Sequence, residues 1–440
     1  MNEQQQEAET TAARTVTIDH LGGGGDGVAL VGDERWFVAG ALAGEEVVAR
    51  PGTRNRNGVH ADIERIVQPA AERVTPPCRH FADTAAPCGG CNLQHLAAEP
   101  YRAFKRDLIV HALQHRGLAA DAELVAPTLA SPAHSRRRVI LTAIGTHDGA
   151  VLGFHQRRSR RVVDIAECVI AVPAITAALP ELRTVLGAYL HAGERAGVTV
   201  VATDSGLSIE LAGPKRYPRR SLRERLTALA ESVDACRIVW QPGGGKPVTV
   251  LVDRRPALQY FAGVPVELPY GAFLQATADG EAAIRDQVLA AVGEGEGRAL
   301  ADLYTGSGSL ALPLAVAGHA VRAVDHERAG LRALKRASAA ADLDLKTLQH
   351  DLSTGGPRGL DWNQLEAVVF DPPRAGARAI AGELARSEVP TVVAVSCHPG
   401  TFARDARMLV DGDYVLTSVQ PIDQFVYSSH VELVAVFRRG

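Results

Sequence analysis

Cysteine is scarce in this chain, six in 440 residues, and three of the six crowd into PPCRHFADTAAPCGGCNLQH as Cys78, Cys88 and Cys91. Thiolates so spaced ligate soft metals or iron-sulfur clusters, and Gly89 and Gly90 give the C-x-x-C pair a tight loop whose N–H groups face sulfur. Cys168, in VVDIAECVI, would complete a set of four. Spacing alone leaves zinc, a cluster and unliganded thiols open. Cys236, in DACRIVW, reads as a small core hydrophobe.

The sixth thiol, Cys397, ends the apolar run of VVAVSCHPGTFARD. It is either another buried hydrophobe or, at a strand's C-terminal edge, a nucleophile for covalent attack. Two other stretches fall on such edges. In ALADLYTGSGSLALPLA an apolar strand runs into a turn with Gly306 and Gly308, then a helix. Glycines allow close approach of a ligand to the backbone, and a helix N-terminus favours electron-rich groups. The next strand, HAVRAVDHE, ends in Asp325, suited to accept hydrogen bonds from ribose hydroxyls. NAD and S-adenosylmethionine both carry that ribose, and Ala311, where a dinucleotide fold prefers a third glycine, is a permitted alternative. VVFDPPRAG discriminates better: Asp371 ends a buried strand and two prolines stiffen the chain beyond it, a pattern common in methyltransferases acting on nucleobases and scarce in dehydrogenases.

These residues need elements to hold them. Residues 14–70 alternate apolar and polar positions in short runs separated by Gly- and Asn-rich turns, which predicts a small β-barrel. AEPYRAFKRDLIVHALQHRG predicts a helix with Tyr101, Phe104, Leu108, Ile109 and Leu113 on one face, stopping at Gly117. A strand-rich part, 71–262, carries the cysteine motif. From residue 263 to 440, continuous apolar strands alternate with Ala-rich helices, which predicts an α/β domain with a parallel sheet covered on both faces.

Composition sets outer limits. With 46% apolar and 22% charged residues the chain reads as a soluble protein of two or three domains. MNEQQQEAETTA lacks the apolar core and basic flank of a targeting peptide, and no apolar run is long enough to span a bilayer, so a cytoplasmic location without membrane contact is expected. The net charge of −3 hides a split: residues 263–440 hold 16 basic against 22 acidic residues, while the rest is net basic. Arg136, Arg137 and Arg138, then Arg157, Arg158, Arg160 and Arg161, then Lys215, Arg216, Arg219 and Arg220 form three clusters. They are either solvated surface or a face suited to phosphates.

Together these motifs resemble the RNA uracil-5-methyltransferase family, most closely its branch modifying 23S ribosomal RNA. AFLQATADGE, DLYTGSGSLAL, FDPPRAG, SCHPGTFARD and the terminal HVELV stand in the family's order and spacing, and the likeness covers nearly the whole chain. The resemblance implies a TRAM-like RNA-binding barrel over 14–70, a central domain over 71–262 and a Rossmann-like methyltransferase domain over 263–440. It implies a [4Fe-4S] cluster on Cys78, Cys88, Cys91 and Cys168. It assigns attack on uracil C6 to Cys397 and removal of the C5 proton to Glu432. It places S-adenosylmethionine on Gln275, Tyr304, Ser309, Asp325, Asp351 and Asp371. Where the family usually has Asn, often Glu, and Asn, this chain has Ser309, Asp325 and His398; the first two keep shorter-reaching hydrogen bonds, and His398 is either a tolerated turn residue or a cation lowering the Cys397 pKa.

The expected partner is 23S ribosomal RNA, bound by a monomer with the target base flipped from its stack. Transfer RNA methylation by the same chemistry is the alternative, and a catalytically dead RNA-binding assembly factor a third reading. DNA amino-methylation fits poorly, because Arg374 rather than an aromatic follows D-P-P and that chemistry needs no thiol.

Overall fold

The computed structural model describes residues 12–82, 86–214, 220–242, 248–293 and 297–440; Lys215, Arg216 and Arg219 lie outside them. The chain divides into two units, one running to Leu108 and including Tyr427–Ser429, the other comprising Ile109–Val426 and His430–Gly440.

The first unit opens with a six-stranded sheet in the order Arg14–Thr17, Glu46–Asn55, Gly58–Gln68, Glu34–Ala39, Gly27–Val31, His20–Leu21. Its two outer members are separated by only two residues of chain, so the sheet curls until its edges are sequence neighbours. Alternation drives this: inward residues Val16, Ala29, Trp36, Val38, Val47, Ala49, Val59 and Ala61 pack into one core. Beyond it, Leu42, Leu93, Leu96 and Tyr101 form a second cluster under the start of the helix Ala98–Gln114. Tyr101, Ile109 and Leu113 are buried as the helical periodicity predicts, and Gly117 turns with a positive φ. The Tyr427 carbonyl accepts the N–H groups of Asn92 and Leu93 at 2.9 and 3.0 Å, which ties Tyr427–Ser429 into this unit.

The second unit holds two large sheets. The first has seven strands, ordered Val162–Asp164, Gly149–His155, Arg138–Thr146, Arg195–Thr203, Gly206–Gly213, Ala235–Pro242, Thr249–Asp253. Only Gly206–Gly213 and Ala235–Pro242 run parallel, joined through the helix Arg220–Ser232. Cys236 is fully buried there, as a small hydrophobe.

The other sheet carries the α/β pattern. Its order is Leu345–Gln349, Ala320–Asp325, Ala299–Leu303, Ala367–Phe370, Thr391–Ser396, Glu432–Arg439, Tyr414–Asp423, with Leu129–Ala130 at the edge. The first five are parallel. Ala367–Phe370 and Thr391–Ser396 are buried at every position, the signature of strands covered on both faces. Chain order reverses between Ala299–Leu303 and Ala367–Phe370, and open sheets of this kind bind ligands beyond the strand C-termini at that crevice. The arrangement is a Rossmann-like α/β fold. Among the described residues, no helix is long and apolar enough to cross a membrane.

Candidate active site

Four parallel strands end on one rim, delivering the Tyr304–Gly308 turn, Asp325, Asp371 and Cys397 just at or after their last residues. Glu432 reaches the same rim by the opposite route. Its strand is antiparallel to Thr391–Ser396, with Ser396 paired to Leu433, so the first residue of one strand faces the residue following the other.

A chain of amides connects the acids. Gln275 Nε2 donates to Asp371 Oδ2 at 2.7 Å, while Gln275 Oε1 accepts from Gln424 Nε2 at 2.7 Å. The same Gln424 nitrogen donates to Glu432 Oε2 at 2.8 Å, and Gln424 Oε1 accepts the Ala276 N–H at 2.8 Å. Among the described residues, Glu432 Oε1 is buried without a hydrogen-bond partner. The motifs named Gln275, Asp371 and Glu432, and the structure brings all three together; Gln424, which joins them, carries no motif signal.

Burial and mutual repulsion hold these groups toward their neutral forms. Burial, opposed by the Gln275 hydrogen bond, pushes Asp371 up to about 6. Burial and the neighbouring Asp371 push Glu432 well above the usual carboxylate range, with the Gln424 hydrogen bond opposing. Cys397 is driven up to about 11 by burial, then by Glu432 and Asp371, with Arg374 pulling the other way. Asp302, wholly buried beneath the turn and bonded by Thr305 Oγ1 at 2.5 Å, rises to about 7 through burial and the charges of Asp371 and Asp325. Sequence reasoning missed Asp302, an apparent strand residue.

The glycine turn is a cradle. Tyr304 adopts φ 63° and Gly308 φ 97°, and a Cβ on Gly308 would lie 2.5 Å from Leu334 Cδ1. Gly330, unremarked in the sequence, lets the following helix approach so closely that a Cβ there would meet Gly306 O at 2.7 Å. At Gly306 a Cβ would project into open space, so the turn leaves room for a ligand. Asp325 accepts from Gly306 N at 2.9 Å and Glu327 N at 2.8 Å, which fixes its carboxylate at the turn. Tyr304 rises to about 12 through burial and the nearby Asp405, Asp351 and Asp325. Ser309 is half-buried on the same turn. Asp351 is exposed and caps the short helix Leu352–Thr354, accepting from Ser353 N at 3.0 Å.

Several expectations need correcting or refining. Arg137 is no part of a solvent-facing cluster: it is buried, paired with Glu281 at 2.5 Å and donating to Gln275 O at 2.9 Å. Arg158, Arg160 and Arg161 are exposed, in the turn between Gly149–His155 and Val162–Asp164. His398 caps the helix Pro399–Asp411, its Nδ1 accepting from Thr401 N at 3.2 Å, and so serves the turn. Cys78, Cys88 and Cys91 belong to the first unit and Cys168 to the second. Among the described residues no group of three or more His, Cys, Asp or Glu side chains converges as ligands for a metal ion.

Comparison with known proteins places this geometry. Residues 358–439 match the tRNA (uracil-5-)-methyltransferase family. An RNA methyltransferase of Brucella melitensis is 41% identical over 98% of this chain and 99% of its own. The 23S rRNA (uracil(1939)-C(5))-methyltransferase RlmD of Pseudomonas putida is 33% identical over 96% of this chain and 93% of its own. The Pyrococcus abyssi tRNA (uracil-54, C5)-methyltransferase, solved with S-adenosyl-L-homocysteine, superposes with a TM-score of 0.73 over 96% of this chain and all of that one, at 21% identity, and so shares the fold. The chain belongs to the family of S-adenosylmethionine-dependent RNA uracil-5-methyltransferases.

Proposed function

We propose that this enzyme methylates C5 of a uridine in 23S ribosomal RNA, with Cys397 as nucleophile and Glu432 as base. The observation that carries the reading is the shared rim position of a thiol and a buried carboxylate with one unpartnered oxygen, beside Asp371.

Uracil C5 is too weak a nucleophile to be alkylated unaided. Cys397 Sγ, once deprotonated, bonds to C6, and the ring electrons move to C5 as an enolate. S-adenosylmethionine supplies the methyl group: the C5–CH3 bond forms as the S–CH3 bond breaks, and S-adenosylhomocysteine leaves. Glu432 then takes the C5 proton, the C5=C6 bond re-forms, and the Cys397 thiolate departs. A base above the ordinary carboxylate range suits a weak carbon acid, and such catalysis contributes about 10²- to 10⁴-fold. Gln275, Tyr304, Ser309, Asp325, Asp351 and Asp371 would hold the methyl donor around the glycine cradle. The target base must leave its stack to reach the rim.

The N-terminal sheet, read as TRAM-like, and the exposed Arg158, Arg160 and Arg161 would hold surrounding RNA. The family resemblance assigns Cys78, Cys88, Cys91 and Cys168 to a [4Fe-4S] cluster, although no such ligand group converges among the described residues. Their donor chemistry is all thiol, and Gly90 N–H lies 3.5 Å from Cys88 Sγ, as a loop serving a thiolate requires. No step of the reaction passes through it. Iron, sulfide and zinc analysis of anaerobically purified protein decides between a cluster and a zinc ion. A cytoplasmic monomer fits these roles.

The test is nucleoside mass spectrometry of 23S ribosomal RNA and transfer RNA, each incubated with the protein and methyl-labelled S-adenosylmethionine. Labelled 5-methyluridine in ribosomal RNA alone, lost in Cys397→Ala, supports the proposal. Label in transfer RNA alone replaces the substrate, and label in neither overturns the activity.

A further inference from the structure

Gln424 is 1% exposed and has every polar hydrogen and its oxygen committed. Ala276 N–H can only donate, so the oxygen of the Gln424 amide must face it; the nitrogen is thereby turned toward Gln275 Oε1 and Glu432 Oε2. Backbone geometry enforces the placement, because Gly280 admits the Gln424 side chain where any Cβ would lie 2.7 Å from Gln424 Cβ. Glu432, 3% exposed, receives a hydrogen bond on one oxygen only among the described residues, leaving Oε1 for a proton.

We propose that Gln424 is a positioning residue for the base: anchored on Ala276, it fixes the Glu432 carboxylate by donating to Oε2, so that Oε1 alone is presented to the C5 proton. A donor at Oε2 also favours the ionised carboxylate, the form able to accept a proton. Loss of that donor leaves a buried acid both unoriented and more readily protonated. This inference rests on Glu432 acting as the base.

The experiment separates the two halves of the reaction. Transcripts of 23S ribosomal RNA and transfer RNA made with 5-fluorouridine allow Cys397 attack and methyl transfer and block proton removal, so they trap a covalent adduct. The parent enzyme, Gln424→Leu and Gln424→Met are compared for adduct formation on these transcripts and for turnover on ordinary transcripts across pH. In the variants, adduct formation stays within about two-fold of the parent. Turnover falls roughly ten-fold or more at neutral pH, short of the about 10²- to 10⁴-fold loss expected of removing the base. The rising limb of the pH profile moves upward, because the donor that favours the ionised carboxylate is gone. Unchanged turnover and pH profile in both variants overturns the inference, and so does adduct formation that falls in step with turnover, because Gln424 then serves Gln275 and Asp371 or the fold. Absence of any trapped adduct with the parent enzyme overturns the underlying mechanism instead.

Discussion

Cys397 and Glu432 flank the last rung, Ser396–Leu433, of one antiparallel ladder. The sheet is otherwise parallel around this point, so only a reversed strand can bring its first residue to the rim where its neighbours deliver their last. One consequence is electrostatic: burial first, and then the carboxylate of Glu432, push the Cys397 thiol up to about 11. Iodoacetamide labelling of Cys397, followed by peptide mass spectrometry, should be slow at pH 8. Glu432→Gln should speed it several-fold at pH 9 by removing a negative neighbour. Labelling no faster than in the parent would separate the two groups electrostatically.

The same variant should stall the reaction. On the proposed mechanism, Glu432→Gln lacks a base for the C5 proton and should accumulate a denaturation-resistant protein–RNA adduct carrying the methyl group, while Cys397→Ala forms none. A gel-retarded species in the cysteine variant would assign the nucleophile elsewhere.

Asp302 should make stability pH-dependent. Its carboxyl rises from 3.8 to about 7 on folding, so between those values the folded chain keeps a proton that the unfolded chain releases. Stability from this group is therefore full below about pH 4 and is lost as pH rises through about 7. Asp302→Asn should exceed the parent in stability at pH 8 by up to on the order of 4 kcal/mol, with the gap closing on acidification. Urea titrations at pH 5 and 8 measure it; an equal difference at both values would contradict the argument.

Gly308→Ala adds a methyl group at φ 97° and within 2.5 Å of Leu334. A cost of roughly 1–3 kcal/mol is expected, together with weaker binding of S-adenosylhomocysteine by calorimetry, since the turn must shift.

Arginines in similar-looking clusters should behave differently. Arg137→Ala deprives the largely buried Glu281 of its close partner, and should cost up to about 3 kcal/mol of stability. Arg160→Ala should leave stability within about 0.5 kcal/mol and instead flatten the salt dependence of RNA binding. Filter binding at several salt concentrations, beside thermal melts, distinguishes the two.

Much of the candidate catalytic rim was legible because strand ends have a local signature. Apolar runs stopping at Asp371 and Cys397 predict a rim position with no knowledge of tertiary structure, and the GSG turn does the same for Gly306 and Gly308. The features that escaped depend on contacts distant in sequence. Gln424 matters only because residues 275–280 fold against it, and Gly330 because its helix leans on Gly306. Arg137 misled for a related reason: it lies just before the strand Arg138–Thr146, where its side chain turns inward to Glu281 and the Gln275 carbonyl, partners more than a hundred residues away in sequence. His398 drew attention as a cation beside the thiol, yet the helix starting at Pro399 needs a cap and uses its ring nitrogen.

The excursion of Tyr427–Ser429 bears on how this protein can be inherited or engineered. The chain lends three residues to the first unit only a few positions before Glu432, and holds them through the backbone of Asn92 and Leu93. No single cut separates the two units into self-contained pieces. A transplanted C-terminal part would arrive with a loop missing the donors that shape it, next to Glu432, the proposed base. Exchange of modules between relatives would therefore have to keep the Asn92 loop and the Tyr427 loop as a matched pair.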